Sequence, residues 1–120
     1  MSNAAAAYDR FKEQAVRDGR VFTLKEKGDQ LVFRVAGYEV IPFWSSRSRV
    51  ERVQYVHPNL RAFEIHERTL SDFLALLQKL EADGVRLGAN WSGKRLTGYD
   101  VEARDVRAGL QYWLDKGPSS

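Results

Sequence analysis

The chain has 120 residues, 43% of them hydrophobic and 12% aromatic, with 19 basic against 16 acidic side chains and a formal net charge of +3. That length fits one domain burying roughly two-thirds of its unfolded surface, and the apolar content excludes a disordered chain. The lack of cysteine excludes disulfides and thiolate metal sites, and no run approaches the ~20 apolar residues of a membrane helix.

Residues 1–10 contain four alanines but neither a basic flank nor a long apolar run, so no signal peptide is read there and the expected location is the cytoplasm. Tyr8, Phe11 and Ala15 recur at helical spacing, which predicts a first helix over residues 4–18 with Gly19 as its stop. Residues 21–24 and 31–35 are rich in β-formers on either side of Lys27-Gly28-Asp29, and residues 39–44 follow Gly37-Tyr38; a three-strand meander is expected. Pro42 marks the third strand as an edge or a break, because it has no N–H to give a ladder.

Ser45 and Ser46 are good helix caps, and Val50, Val53 and Val56 predict a short helix that Pro58 ends. Residues 60–65 alternate apolar and polar, the pattern of a fourth strand covered on one face. Thr69 caps a helix over residues 69–82, lined by Phe73, Leu74, Leu76, Leu77 and Leu80 and closed by Gly84. Residues 85–91 and 95–101 read as a hairpin around Ser92-Gly93-Lys94, and residues 103–115 as a last helix with Val106, Leu110, Trp113 and Leu114. The expected architecture is a single α+β domain spanning residues 1–120, ordered over 3–116 with a fraying 117–120 tail. Its order is α-β-β-β-α-β-α-β-β-α, a mainly antiparallel sheet of five to six strands with helices on one face.

Gly88 to Lys94 matches a phosphate-binding glycine loop up to its lysine, but Arg95 stands where that loop needs Ser or Thr, and a strand follows instead of a helix. A plain hairpin is the expectation. His57 and His66 are the only histidines; with no cysteine beside them they predict no metal site, and their spacing matches no catalytic triad. No catalytic residue and no cofactor is assigned.

Trp44 and Trp91 each close a predicted strand beside polar residues: Ser45, Ser46 and Arg47 after the first, Asn90, Ser92 and Lys94 around the second. If those ends meet, they form an aromatic and cationic pocket, so Trp44, Ser46, Arg47, Asn90 and Trp91 are the candidate ligand residues. Buried packing is the competing role for such tryptophans. Arg47, Arg49 and Arg52, behind serines at a helix start, form one basic group that could bind an anion through amide groups and guanidinium forks, with a solvated helix face as the favoured role, and Lys94 with Arg95 form another; both are interspersed with acids rather than polybasic.

The passage Glu39-Val40-Ile41-Pro42-Phe43-Trp44-Ser45-Ser46-Arg47, and the Leu-rich helix ending in Asp83-Gly84-Val85-Arg86-Leu87-Gly88-Ala89-Asn90-Trp91, resemble the bacterial domain-of-unknown-function family 2750 over about residues 8–114. The resemblance implies a small cytosolic protein with no assigned activity, and so gives no catalytic residues. The family is associated with Pro-His after the tryptophan, where this chain has Ser45-Ser46.

The functional expectation is a binding or accessory module, leaning away from an enzyme, for a partner protein or a small anionic ligand. Weak nucleic-acid binding through Arg47, Arg49, Arg52, Lys94 and Arg95 is the alternative, with steep salt dependence as its signature. An enzyme using His57 or His66 as base is the third reading. No membrane association is expected.

Overall fold

A computed structural model describes residues 3–117. Helix α1 (Asn3–Asp18) buries Phe11 and Ala15 and stops at Gly19, whose N–H bonds to the Ala15 carbonyl. Strand β1 (Arg20–Glu26) follows at once, and Lys27 and Gly28, with φ of 51° and 85°, return the chain into β2 (Asp29–Gln30). Two consecutive positive φ values give the turn whose twist matches a tight hairpin. Strand β3 (Phe33–Val35), Ala36 and Gly37 at φ 51° and 86°, and β4 (Tyr38–Phe43) repeat that construction.

The expected meander is therefore two separate hairpins. The predicted strand over residues 31–35 divides at Leu31, which bonds back to the Leu24 carbonyl and enters the core, while the next residue, Val32, is exposed. Past that point the chain leaves β1 for β4. The two sheets then touch at one bridge, where Phe22 and Trp44 exchange both backbone hydrogen bonds at 2.8 Å.

Helix α2 (Arg47–Val56) is capped by Ser46, whose hydroxyl accepts the Arg49 N–H. At its other end Arg61 donates to the Gln54 and Tyr55 carbonyls. A 3-10 turn (Pro58–Leu60) follows, so the alternation that predicted a strand from Leu60 belongs to a turn that buries Leu60. The strand itself, β5 (Glu64–Thr69), starts later and pairs antiparallel with β1 from Lys25↔Glu64 to Arg20↔Thr69. Helix α3 (Leu70–Asp83) matches expectation: the Thr69 hydroxyl accepts the Asp72 N–H, and Gly84 closes the helix in the left-handed conformation.

Strand β6 (Arg86–Ala89) lies parallel to β4, after the long crossover that such pairing requires. Its expected hairpin partner is shorter and later than the sequence suggested. Strand β7 (Asp100–Glu102) pairs with β6 only beyond a loop that closes on itself at Ser92↔Thr97, and helix α4 (Ala103–Lys116) follows directly.

The chain is thus α+β and mostly antiparallel, as expected, but its seven described strands form two sheets, ordered β2-β1-β5 and β3-β4-β6-β7. Pro42 sits inside β4 rather than on an edge strand. The β3 ladder has already ended opposite Val40, and the Pro42 carbonyl accepts the Thr23 hydroxyl at 2.7 Å.

The expectation of helices on one face also needs correction. Residues from α1, α3 and α4 pack around Val21, Ile41, Phe43 and Leu87 in one core. Val50 and Val53 of α2 pack instead with Phe22, Leu24, Leu31 and Trp44 in a second. Neighbouring strand residues point to opposite faces, so Val21 and Phe22 show β1 sandwiched between the two. This accounts for the unbroken burial of β1 from Val21 to Leu24. No helix among the described residues is long and apolar enough to cross a membrane. The tail expected to fray lies, from residue 118 on, outside the described residues.

Candidate functional site: a basic cleft beside α2

The ends of β4 and β6 do come together. The Trp44 indole N–H donates to the Trp91 carbonyl at 2.8 Å, and the Asn90 backbone N–H donates to Phe43 at 2.9 Å. Asn90, with φ 51°, turns the chain out of the sheet while its side chain fastens three segments. Its Oδ1 accepts the Ser45 N–H at 2.9 Å, and its Nδ2 donates to the Ser45 hydroxyl at 3.0 Å and to the Ala7 carbonyl of α1 at 3.3 Å. Asparagine suits this position because it tolerates the left-handed region. Its polar atoms are consumed internally.

Trp91 is held as firmly. Its indole N–H donates to the Tyr99 carbonyl at 2.8 Å, and its ring covers Gly88 and Gly98, where a Cβ would overlap it. Phe33 approaches the ring at 5.8 Å between centroids. Trp44 is 1% exposed and Trp91 5%, so neither presents an open aromatic face.

Beside this junction lies a cleft of about 550 Å³. One wall is α2, which contributes Arg49, Arg52, Val53 and Val56, the i, i+3, i+4, i+7 face of the helix. Gln14 of α1 closes the back, with its Oε1 accepting the Ser45 hydroxyl at 2.6 Å and the Arg49 Nε–H at 3.3 Å. The turn at Ser92-Gly93 forms the far wall, and His57 meets the Gly93 carbonyl through Nε2 at 2.8 Å.

The electrostatics of the cleft are one-sided. Its lining includes no Asp, Glu, His, Lys or Cys. Among the described residues neither Arg49 nor Arg52 forms an ion pair. Burial pulls the Arg49 guanidinium below its ordinary pKa, and repulsion from Arg10 and Arg52 adds to the effect. A guanidinium is a rigid fork of donors that matches carboxylate or phosphate oxygens. Chemically such a cleft can attract an anion, and its lining residues include no side chain suited to proton transfer near neutral pH.

Of the sequence-predicted residues, Trp44, Ser46, Asn90 and Trp91 line this cleft, the tryptophans and Asn90 mainly as its frame. Arg47 is not among the lining residues; its guanidinium carbon lies 5.8 Å from the centroid of the Phe22 ring. Arg49 and Arg52, read from sequence with Arg47 as a basic group for an anion or nucleic acid but not among the pocket residues, are the cleft's cations. Lys94 is exposed beyond the Gly93 turn, and Arg95 lines a separate groove of about 380 Å³ with Phe33 and Leu96. Sequence reasoning missed Gln14, Val53, Val56, Ser48 and Gly93 as lining residues. The spacing of Arg49, Arg52, Val53 and Val56 was a usable signal, whereas nothing local singles out Gln14.

The glycine-loop match at Gly88 to Lys94 opens no helix, its last residues forming the small turn bridged by Ser92 and Thr97. His57 and His66 lie outside the cleft lining, and among the described residues no group of three or more metal-ligating side chains occurs.

Fold and cleft together define a small α+β protein of two hairpin-built sheets with a cationic, carboxylate-free groove at the ends of two parallel strands. The family described as "Protein of unknown function (DUF2750)" matches residues 8–110, and the chain belongs to it. No curated protein matches the chain.

Proposed function

We propose that this protein is a non-enzymatic binding module that holds a small anionic ligand in the α2 cleft. The observation that carries the reading is Arg49: partly buried, without a carboxylate partner among the described residues, and lining a cleft that contains no acid. A charge removed from water without a counter-ion is unfavourable, and an anionic ligand would supply that counter-ion. A bacterial, cytoplasmic setting belongs to the same proposal and rests on the family resemblance.

The nucleic-acid alternative is less well supported. Binding of single strands relies on open aromatic faces for base stacking, and both tryptophans are buried. Arg95 and the α2 arginines also line different grooves. A partner protein offering an acidic side chain to the cleft would use the same cations.

Amide and guanidinium NMR shifts with phosphate, sulfate and acetate at low and physiological salt test the proposal. The expected result is a cluster of shifts on Ser46, Arg49, Arg52 and Gly93 that persists at physiological salt and disappears in Arg49→Gln. Shifts scattered over all surface arginines, lost together as salt rises, would instead support a diffuse nucleic-acid-type surface.

A further inference from the structure

We infer that the ligand is an amphipathic organic anion, its charged head held by Arg49 and Arg52 and its apolar body laid over Val56. The inference rests on the anion-binding reading above and narrows it to a ligand class. Along α2, Arg52 is followed four residues later by Val56 on the same face, and a rise of 1.5 Å per residue sets cation and apolar surface about 6 Å apart. The exposed aliphatic surface of the cleft therefore lies beyond these cations, toward the C-terminal end of α2.

Val56 makes the apolar end informative. It is 39% exposed and belongs to neither core, so it is a cleft-lining aliphatic side chain that folding leaves wet. Covering such a surface releases its hydration water, which favours a ligand carrying carbon beside its charge. Opposite, Gly93 presents backbone without a side chain, and its carbonyl is tied to His57 Nε2 at 2.8 Å. At about 550 Å³ the cleft falls in the roughly 300–1,000 Å³ range of small-molecule sites. An inorganic anion on the arginines would leave the valine end solvated.

Calorimetric or NMR titration of the full chain with acetate, butyrate, hexanoate and octanoate at fixed ionic strength tests the inference, with inorganic phosphate and butyl phosphate as a second pair. Affinity is expected to rise by up to about fourfold per added methylene, the gain for a fully buried CH₂, and Val56→Thr is expected to flatten that rise. A gain of butyl over inorganic phosphate supports the same class with a phosphate head. A flat series in which acetate and phosphate still shift Arg49 overturns the amphipathic ligand but leaves the anion site standing. A rise that survives Val56→Thr places the apolar body elsewhere and also overturns it. Absence of any shift on Arg49 with any anion removes both readings.

Discussion

Replacing Asn90 with alanine separates a structural role from a ligand-binding one. The substitution removes the acceptor of the Ser45 N–H and the donor to the Ser45 hydroxyl and the Ala7 carbonyl, all at a site where Ser45 is 0% and Asn90 2% exposed. An orphaned buried backbone donor costs about 1–3 kcal/mol. Alanine at φ 51° adds the left-handed penalty of roughly 1–2 kcal/mol that asparagine largely avoids. The sum is about 3 kcal/mol, a large share of the roughly 5–15 kcal/mol by which domains are stable. Asn90→Gly loses the same side-chain bonds without the backbone penalty, so it should be destabilised by about 1 kcal/mol less than Asn90→Ala. Urea unfolding followed by tryptophan fluorescence measures both. Stability of Asn90→Ala within about 0.5 kcal/mol of the parent, the range of an ordinary surface change, would refute the reasoning and return Asn90 to the ligand residues.

Gly88→Ala should destabilise by about 1–3 kcal/mol, the usual cost of overpacking, because the new methyl meets the Trp91 indole; a blue or red shift of native fluorescence would accompany it, and a gain in stability would contradict the packing described. Arg49→Gln should leave the melting temperature unchanged or raise it at low salt, since burial and the charges of Arg10 and Arg52 oppose the guanidinium; a drop of several degrees would expose a stabilising partner for Arg49. His66, opposite Thr23 on β5, has its pKa lowered by burial and then by Lys25 and Arg68. The folded chain therefore takes up that proton less readily than the unfolded one, and stability should fall as pH drops below the ordinary histidine value of about 6.5. His66→Gln should make denaturant midpoints between pH 7 and pH 5 less pH-dependent, and an unchanged slope would rule the effect out.

Helices were legible because each carries its own signal. Thr69, Asp72 and Gly84 specify both ends of α3 from within the segment, and the Ser46 cap does the same for the start of α2. Strands were legible as runs but not as partners. Residues 31–35 are uniformly β-prone, and only the burial of Leu31 beside an exposed Val32 shows that the run is shared between two sheets. Residues 60–65 mimic strand alternation because a 3-10 turn also buries one residue, Leu60, between exposed ones. The parallel pairing of β4 with β6 depends on contacts some 46 residues apart, as in Ile41↔Leu87, and no local pattern encodes that. The cleft was half legible for the same reason. The tryptophans and Asn90 announce themselves by type, but the choice of Arg49 and Arg52 over Arg47 follows from the face of α2 that Val50 and Val53 turn inward.

Polar and aromatic residues gathered at strand ends have two explanations, and bonding capacity separates them. A strand that ends inside a protein leaves backbone groups that must be satisfied, so Asn90, Ser45 and both indole N–H groups are needed there whether or not a ligand exists. In this fold they are used in that way: Trp44 on Trp91, Trp91 on Tyr99, and Asn90 on Ser45 and Ala7. Arg49 differs. A guanidinium has five N–H donors, and the one placed by a side chain here is Nε–H, on Gln14. Its charge is repelled by two neighbouring arginines and met by no carboxylate among the described residues. Folding does not require such a group and is opposed by its charge, so under the proposed reading an external anion would be its partner, and Arg49 rather than either tryptophan is where ligand binding should be sought.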